Sequence, residues 1–513
     1  MKKITRFFCV IVLSMSIMTP ISSVLADNID HSKARNVAAY FMAAQFGNKA
    51  ITAESLELVY EIPNIEKGIS TLYAFNTADK RGFVIVAGTD CVDPIVAYST
   101  DGALDPGNIP PAMQWWLGEQ ANMIACCQNN AFEAGDRVLA SWRTLEEQRL
   151  PYFGQNSKAV VRLLRTKWNQ NYPYNVLCPT VSNGNNDNRG RAYVGCVATA
   201  MSQILCYWEY PVVGQGSKTY HVSEAGLDTT LSLDFSQSRF DYENMPDKLD
   251  ASATEDQINA VAFLGYNCGV AVEMGYDGEG SGTLSEYVVD ALSANFKYVA
   301  DSLRFYSRGS MLYNNPETTT NPNDRDTAWV ELICNEILKK RPVYYAGRSP
   351  YGGRDAGHAF VCEGLNTSTK MLYFNWGWGG SGDCWCNVFT AQLKPSASPQ
   401  QGTTYNFMES NRIITGIVPP QDSIHINMEN VVEPENPFVG ALYPNPASTH
   451  VTVSYMLTDD SPAIMQVFDA SGRMVDEIRL SPVCTQVSFP VGNLDPGIYF
   501  CRINGYTKKF VVK

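Results

Sequence analysis

Histidine is scarce in this chain: there are five in 513 residues, His31, His221, His358, His425 and His450. Chemistry that needs an imidazole therefore has few candidates, and a His-rich metal site is excluded. The four-ligand spacing of a structural zinc site is also absent, although Cys126-Cys127 and Cys384-x-Cys386 lie close in sequence. No metal and no cofactor is expected. Basic runs are missing too. Lys and Arg total 39 against 52 Asp and Glu, a net charge of −13. Scattered cations under a negative total disfavour nucleic acid or an anionic membrane surface as a partner. Charged residues make up only 18 % of the chain and apolar ones 45 %, which excludes a disordered or collagen-like polymer. Beyond the N-terminus no run of uncharged apolar residues is long enough to cross a bilayer. No transmembrane segment is expected in the mature protein.

The first 26 residues read as a signal peptide. Lys2, Lys3 and Arg6 give a positive start, Phe7 to Met18 an apolar core, and Val24-Leu25-Ala26 a cleavage site, so the mature protein is expected to begin at Asp27 and to be exported. Removing Cys9 with that segment leaves 13 of 14 cysteines, an odd number, so at least one thiol stays unpaired even if the others pair completely.

Residues 27–157 read as an α+β unit. A helical period covers Ser32 to Phe46. Strand-like runs follow at Leu56–Ile62, Leu72–Asn76, Gly82–Gly88 and Pro94–Tyr98, and a second helical stretch opens at Pro110-Pro111. This unit has one histidine and no acid/base cluster, and it ends in the polar stretch 152–157, which suits exposed processing. Residues 158–417 form the next unit, residues 418–438 a Pro-rich linker, and residues 439–513 a strand-rich unit with the turn signals of a small β-sandwich.

Four features of the 158–417 unit can do chemistry. Gly195-Cys196 follows a Gly/Asn-rich stretch and opens a strong helical run, Val197 to Trp208. A thiol at that helix N-terminus is favoured as thiolate by unpaired N–H groups and the macrodipole. Gly357-His358 opens a strand after a Gly-rich loop, 162 residues further on (358 − 196), where an imidazole can face a cleft. Asn375, in Phe374-Asn375-Trp376-Gly377, can fix an imidazole tautomer, with Trp376 screening the bond from water. Gln170, in Trp168-Asn169-Gln170, can join the Cys196 backbone N–H in an oxyanion hole.

Taken together, Gln170, Cys196, His358 and Asn375 follow the chain order of papain-like cysteine peptidases. The chain resembles the streptopain family of bacterial secreted cysteine endopeptidases. The likeness is carried by Asn169-Gln170-x-x-Pro173-Tyr174-Asn175, Gly195-Cys196-Val197-Ala198-Thr199-Ala200, Arg341-Pro342-Val343-Tyr344-Tyr345, Gly357-His358-Ala359-Phe360-Val361 and Asn375 to Gly380. It covers about residues 158–417 and, more loosely, 32–130, where that family carries an inhibitory propeptide.

The resemblance implies a papain-like α+β fold of two subdomains, preceded by an α+β propeptide that is the enzyme's own inhibitor. It makes Cys196 the nucleophile, His358 the general base and acid, Gln170 the oxyanion donor, Asn375 the orienter and Trp376 its cover. It puts Gly357 and the Gly278–Gly282 loop, with Ser281 and Gly282, against a protein or peptide substrate. That loop and Asp383-Cys384-Trp385-Cys386 depart from the family's pattern. The last 75 residues, with Tyr443-Pro444-Asn445-Pro446, Leu494-Asp495-Pro496-Gly497 and Lys508 to Lys513, resemble the C-terminal sorting domain of type IX secretion cargo. That likeness implies outer-membrane export machinery as a partner and a secreted or surface-attached product. An inactive adhesin on the same scaffold, or a Cys-dependent amidase or transglutaminase, shares the motifs. Thiol-sensitive cleavage of casein separates them.

Overall fold

In the computed structural model, residues 27–149, 160–309, 322–348, 357–388, 394–395, 410–420, 439–455, 463–480, 486–503 and 506–513 are described, apart from single positions among them. The signal segment, the 152–157 stretch, the loop ahead of His358 and most of the 418–438 linker lie outside the described residues.

The first unit runs α1 (His31–Phe46), β1 (Leu56–Asn64), β2 (Ile69–Thr77), β3 (Phe83–Ala87), β4 (Ile95–Ser99), α2 (Pro111–Asn129), β5 (Phe132–Glu133) and α3 (Asp136–Glu146). Local chemistry sets its boundaries. The Asp30 carboxylate accepts the Lys33 N–H at 2.8 Å to start α1, and Gly47 closes it in the left-handed region at φ 60°. Pro111 opens α2, where its missing N–H costs nothing.

The second unit runs β6 (Val160–Arg162), α4 (Cys196–Trp208), β7 (Ser217–Glu224), β8 (Leu227–Asp234), α5 (Glu255–Ala271), α6 (Tyr287–Ala294), β9 (Arg304–Ser307), α7 (Pro322–Leu338), β10 (Val343–Arg348), β11 (Gly357–Asn366), β12 (Met371–Asn375), β13 (Cys384–Cys386), β14 (Lys394–Pro395) and β15 (Arg412–Thr415).

The two units share one sheet. Its strand order is β1-β2-β3-β4-β13-β12-β11-β10-β15-β9, with β6 added on β11. The seam is β4 against β13, pairing Tyr98 with Trp385 and Ala97 with Cys386. A propeptide drawn from sequence as a separate unit is thus hydrogen-bonded strand to strand with the unit behind it.

Successive strand residues face opposite sides, and β11 shows what each side meets. Phe360 and Cys362 join a core that holds α2 (Trp115, Trp116, Leu117) and α7 (Trp329, Ile333, Ile337). Ala359 and Val361 join a second core built on α4 (Val197, Met201, Leu205) and α5 (Leu264, Cys268). Fully burying one such large apolar side chain contributes about 1.5–3 kcal/mol, so the first and second units hold each other through many such groups.

The C-terminal unit has its own core, including Val451, Val453, Met465, Val467, Cys501 and Phe510. One sheet joins Val439–Tyr443, His450–Tyr455 and Gln486–Pro490. The other joins Met474–Leu480, Ala463–Asp469, Gly497–Ile503 and Tyr506–Val512. No disulfide links the described cysteines, and Cys178, Cys206, Cys268, Cys334, Cys362 and Cys501 are buried free thiols. Among the described residues no helix is long and apolar enough to cross a membrane, and no cluster of His, Cys, Asp and Glu is arranged to hold a metal.

Candidate active site

Cys196 is the first residue of α4. The chain reaches it through Gly195 at φ 90°, where a Cβ would lie 2.6 Å from the Met274 side chain and 3.2 Å from the Ser281 carbonyl, so only glycine fits that approach. Burial pushes the Cys196 thiol up from its ordinary value, and the backbone N–H groups of Ala359, Val197 and Cys196 itself work in the other direction. The helix start expected to favour the thiolate is present, yet desolvation outweighs it in this state.

His358 is the second residue of β11 and pairs with Gly347 of β10. Alternation gives it the face of Phe360 and Cys362, the side covered by α2 and α7. Gly347 reports the same face independently. A Cβ there would lie 1.8 Å from the Trp115 indole, so Trp115 of the first unit sits over Gly347, the register partner of His358. Cys196 packs with the α4 core on the other side. The His358 Cβ and the Cys196 side chain therefore start from opposite faces of one sheet. Burial pushes the His358 ring below its ordinary value, and the ring makes no hydrogen bond to a described residue. The cleft-facing imidazole expected from sequence is, in this precursor, turned toward the propeptide.

Asn375 ends β12 opposite Val361, hence on the α4 face. Its amide is only 2 % exposed and fully engaged. Nδ2 donates to the Thr166 carbonyl at 2.7 Å and to Gln203 Oε1 at 3.2 Å, while Oδ1 accepts from Gly377 N–H at 3.1 Å and from Gln203 Nε2 at 3.2 Å. Trp376 is buried, its indole N–H donating to the Gly382 carbonyl at 2.8 Å and its backbone N–H to Asp383 Oδ1 at 2.9 Å. Asp383 has no partner for Oδ2 among the described residues, and burial pushes its carboxyl up to about 7.

Gln170 accepts the Val194 N–H on its own carbonyl at 3.0 Å, which ties it to the approach to Cys196, and its Nε2 makes a long 3.4 Å bond to the Gly377 carbonyl. Ser281 spends its hydroxyl internally. It donates to the Tyr193 carbonyl at 2.7 Å and accepts from Asp277 N–H at 3.1 Å. Gly282 pairs with Gly275, with open space beside its Cα. Gly357 opens β11 exposed, opposite Arg348.

Gln170 and the Ser281–Gly282 loop thus lie by the approach to Cys196 and Asn375 lies on the α4 face, whereas Trp376 packs against Phe360 and Trp116 in the α2 core, on the face that alternation gives His358. Sequence reasoning did not find Trp115, Gly347, Gln203 or Asp383. Only Gln203 carried a sequence signal, as an amide inside an otherwise apolar helical run seven residues after Cys196.

Comparison with known proteins divides the chain into three matches. Residues 168–386 match the Peptidase C10 family, residues 26–124 the Spi protease inhibitor family, and residues 441–513 a secretion system C-terminal sorting domain. The thiol protease/hemagglutinin PrtT of Porphyromonas gingivalis is 28 % identical over 396 residues, 77 % of this chain. The chain spans 42 % of that relative's length. Streptopain of Streptococcus pyogenes is 28 % identical over 364 residues, 68 % of this chain and 81 % of streptopain. A solved fragment of Prevotella intermedia prointerpain A is 28 % identical with TM-score 0.53, covering 71 % of this chain and 99 % of that one. Active interpain A from the same organism is 34 % identical, covering 51 % of this chain and 96 % of that one, with TM-score 0.41.

Proposed function

The chain belongs to the C10 family of cysteine peptidases, and from that premise we infer that it is the latent precursor of an exported cysteine endopeptidase. Residues 27–149 include the inhibitor domain and the C-terminal unit is a secretion sorting domain. The observation that carries the reading is Cys196 at the head of α4, with Gln170 bonded to the Val194 approach to it and Asn375 bonded to Gln203 of the same helix.

In this reading the Cys196 thiolate attacks the carbonyl carbon of the scissile peptide bond. The resulting oxyanion is held by the Cys196 backbone N–H and the Gln170 amide. His358, oriented by Asn375, gives its proton to the leaving amine, and the thioester formed on Cys196 is then hydrolysed by a water that His358 deprotonates. Trp376 keeps water from the imidazole, and Gly357, Ser281 and Gly282 border the bound peptide.

His358 must leave the α2 face before any of this begins. Latency follows: while Trp115 lies on Gly347, the base is on the wrong side of β11 from the nucleophile. Release of residues 27–149 frees it. The signal segment takes the chain across the inner membrane, the sorting domain engages outer-membrane export machinery, and the product is secreted or held at the cell surface.

The test is casein hydrolysis by matured protein, with and without iodoacetamide, beside Cys196→Ala. Cleavage that survives alkylation, or that persists in a folded Cys196→Ala protein, rejects the reading.

A further inference from the structure

Gln203 is fully buried in the middle of α4, among residues that are otherwise nearly all apolar. A buried amide is costly unless its donors and acceptors are met. Gln203 meets them at a single address. Its Oε1 accepts from Asn375 Nδ2 at 3.2 Å and from the Trp168 backbone N–H at 3.2 Å, and its Nε2 donates to Asn375 Oδ1 at 3.2 Å. The two side chains are joined edge to edge by a reciprocal pair of N–H···O bonds, the arrangement of a cyclic amide dimer.

The polarity of that dimer is fixed from outside. The Thr166 carbonyl can only accept, so it meets the nitrogen of Asn375. The Gly377 N–H can only donate, so it meets the oxygen, and the Trp168 N–H fixes Gln203 in the same way. Neither amide can flip without breaking backbone bonds. Gln203 also lies seven residues after Cys196, two helical turns on and on the same face. Thr199, between them, faces Gly377, where a Cβ would lie 3.2 Å from the Thr199 methyl. One face of α4 therefore touches the nucleophile's surroundings at one end and Asn375 at the other.

We propose that Gln203 is the positioning residue for Asn375, securing its carboxamide to α4 beside the Thr166 and Gly377 backbone bonds, with the Gln203 Nε2 bond to Oδ1 the one exchanged for the imidazole of His358 once the propeptide has left. The proposal rests on the reading of Asn375 as the group that orients His358. Gln203 touches neither substrate nor reacting atoms. It acts by locking the far edge of the Asn375 amide to the helix that carries Cys196. Without it, two of that amide's four hydrogen bonds are lost in a dry site, and only the Thr166 and Gly377 backbone bonds restrain it. His358 then loses its orientation, while the peptide-binding surface is unchanged.

The experiment uses the full chain matured by an added serine peptidase that is afterwards inhibited. It compares Gln203→Met, Gln203→Asn, Asn375→Ala and the Gln203→Met/Asn375→Ala double variant. Gln203→Met removes both amide bonds at similar volume; Gln203→Asn withdraws the amide by one methylene. Each Gln203 variant is expected to lower kcat about tenfold with KM within about twofold of wild type, and to slow iodoacetamide capture of Cys196 at pH 6, which depends on the thiolate–imidazolium pair. In the double variant the Gln203 change should cost almost nothing further, because Asn375 is already gone. If Gln203→Met does not fold, Gln203→Asn is judged by the same measurements. Wild-type kcat and capture rate in the folded Gln203 variants, or losses that multiply in the double variant, overturn the role of Gln203 while Asn375→Ala still reads as slow. A full kcat in Asn375→Ala itself overturns the underlying reading of Asn375.

Discussion

The indole of Trp115 occupies the space that a side chain at Gly347 would fill, 1.8 Å from the position a Cβ would take. Gly347 is the register partner of His358. One propeptide residue thus covers the strand position directly opposite His358. Truncating a large buried aromatic costs about 3–5 kcal/mol, and every ~1.4 kcal/mol lost from the latent arrangement shifts its equilibrium with the open one about tenfold. Trp115→Ala should therefore raise the initial rate of the uncleaved precursor on a fluorogenic peptide by about tenfold or more, with the chain verified intact on a gel. A Trp115→Ala precursor as silent as wild type would show that latency lies elsewhere in the seam.

Cys196→Ala should abolish hydrolysis of casein, and His358→Ala should cost a comparable loss, on the order of a thousandfold or more in kcat/KM, since nucleophile and base act as one unit. The double variant should be no worse than Cys196→Ala. Asn375→Ala should do less damage than either. Multiplicative losses in the double variant would contradict a shared step.

The strand pairing Tyr98–Trp385 and Ala97–Cys386 continues the propeptide sheet into the catalytic one, and Asn387 donates across the same seam to the Asp93 carboxylate, which Arg137 of the propeptide also binds. Cleavage in the 150–159 region breaks none of these contacts. A nicked precursor should stay associated and latent on a sizing column, and a 27–149 fragment should inhibit the mature enzyme at micromolar concentration. Free elution of the fragment directly after nicking would refute the seam as the inhibitory contact.

How far the sequence carried this picture depends on the range of the interaction concerned. α1, α2, β1 to β4 and α4 were legible because each has a local signal: an apolar period, a Pro at a helix start, a Gly before Cys196. Cys196, His358, Asn375 and Gln170 stood out as candidates because each lies in a motif. The side of β11 to which His358 is turned was not legible, because that depends on register with β10 and on an aromatic 243 positions away in the chain (358 − 115). Asp383-Cys384-Trp385-Cys386 looked like a mere departure from a family pattern, yet its last three residues form β13, the strand on which the propeptide sheet is built. Gln203 showed only as an amide inside an apolar helical run, and its partner, Asn375, lies 172 positions away in the chain.

Asp383 makes stability depend on pH in a direction that can be stated. Its folded carboxyl titrates at about 7, far above the ordinary value of 3.8, because burial outweighs the Trp376 N–H and the nearby Arg162. Between those values the folded state holds a proton that the unfolded chain has released, so stability falls as pH rises from about 4 to about 7 and levels off beyond. Asp383→Asn keeps the Oδ1 acceptor for Trp376 and removes the ionisation. Its melting temperature should match wild type near pH 4.5 and exceed it by several degrees at pH 8. Equal melting temperatures at both pH values would show that Asp383 ionises in the fold without penalty.

The C-terminal unit should be needed for delivery and dispensable for catalysis. Its core shares no residue with the two cores that build the active site, and it is closed by its own register, with Val451 on Phe489 and Tyr499 on Phe510. The catalytic unit ends later than its last strand suggests. Ile417 is buried in the α4 core and the Val418 carbonyl accepts from Val299 N–H at 3.5 Å, so a cut before these residues would open the core itself. Truncation after Pro420 spares both. The truncated recombinant protein should keep kcat/KM within about twofold of the full chain, as expected when few contacts cross a linker. Truncation after Ile414 should instead lose activity by unfolding. In a host that runs the sorting machinery, the Pro420 truncation should accumulate in the periplasm while the full chain reaches the surface or the medium. If the truncated protein arrived outside as efficiently as the full chain, the C-terminal sandwich would have to be an accessory binding unit, and export would depend on a signal elsewhere in the chain.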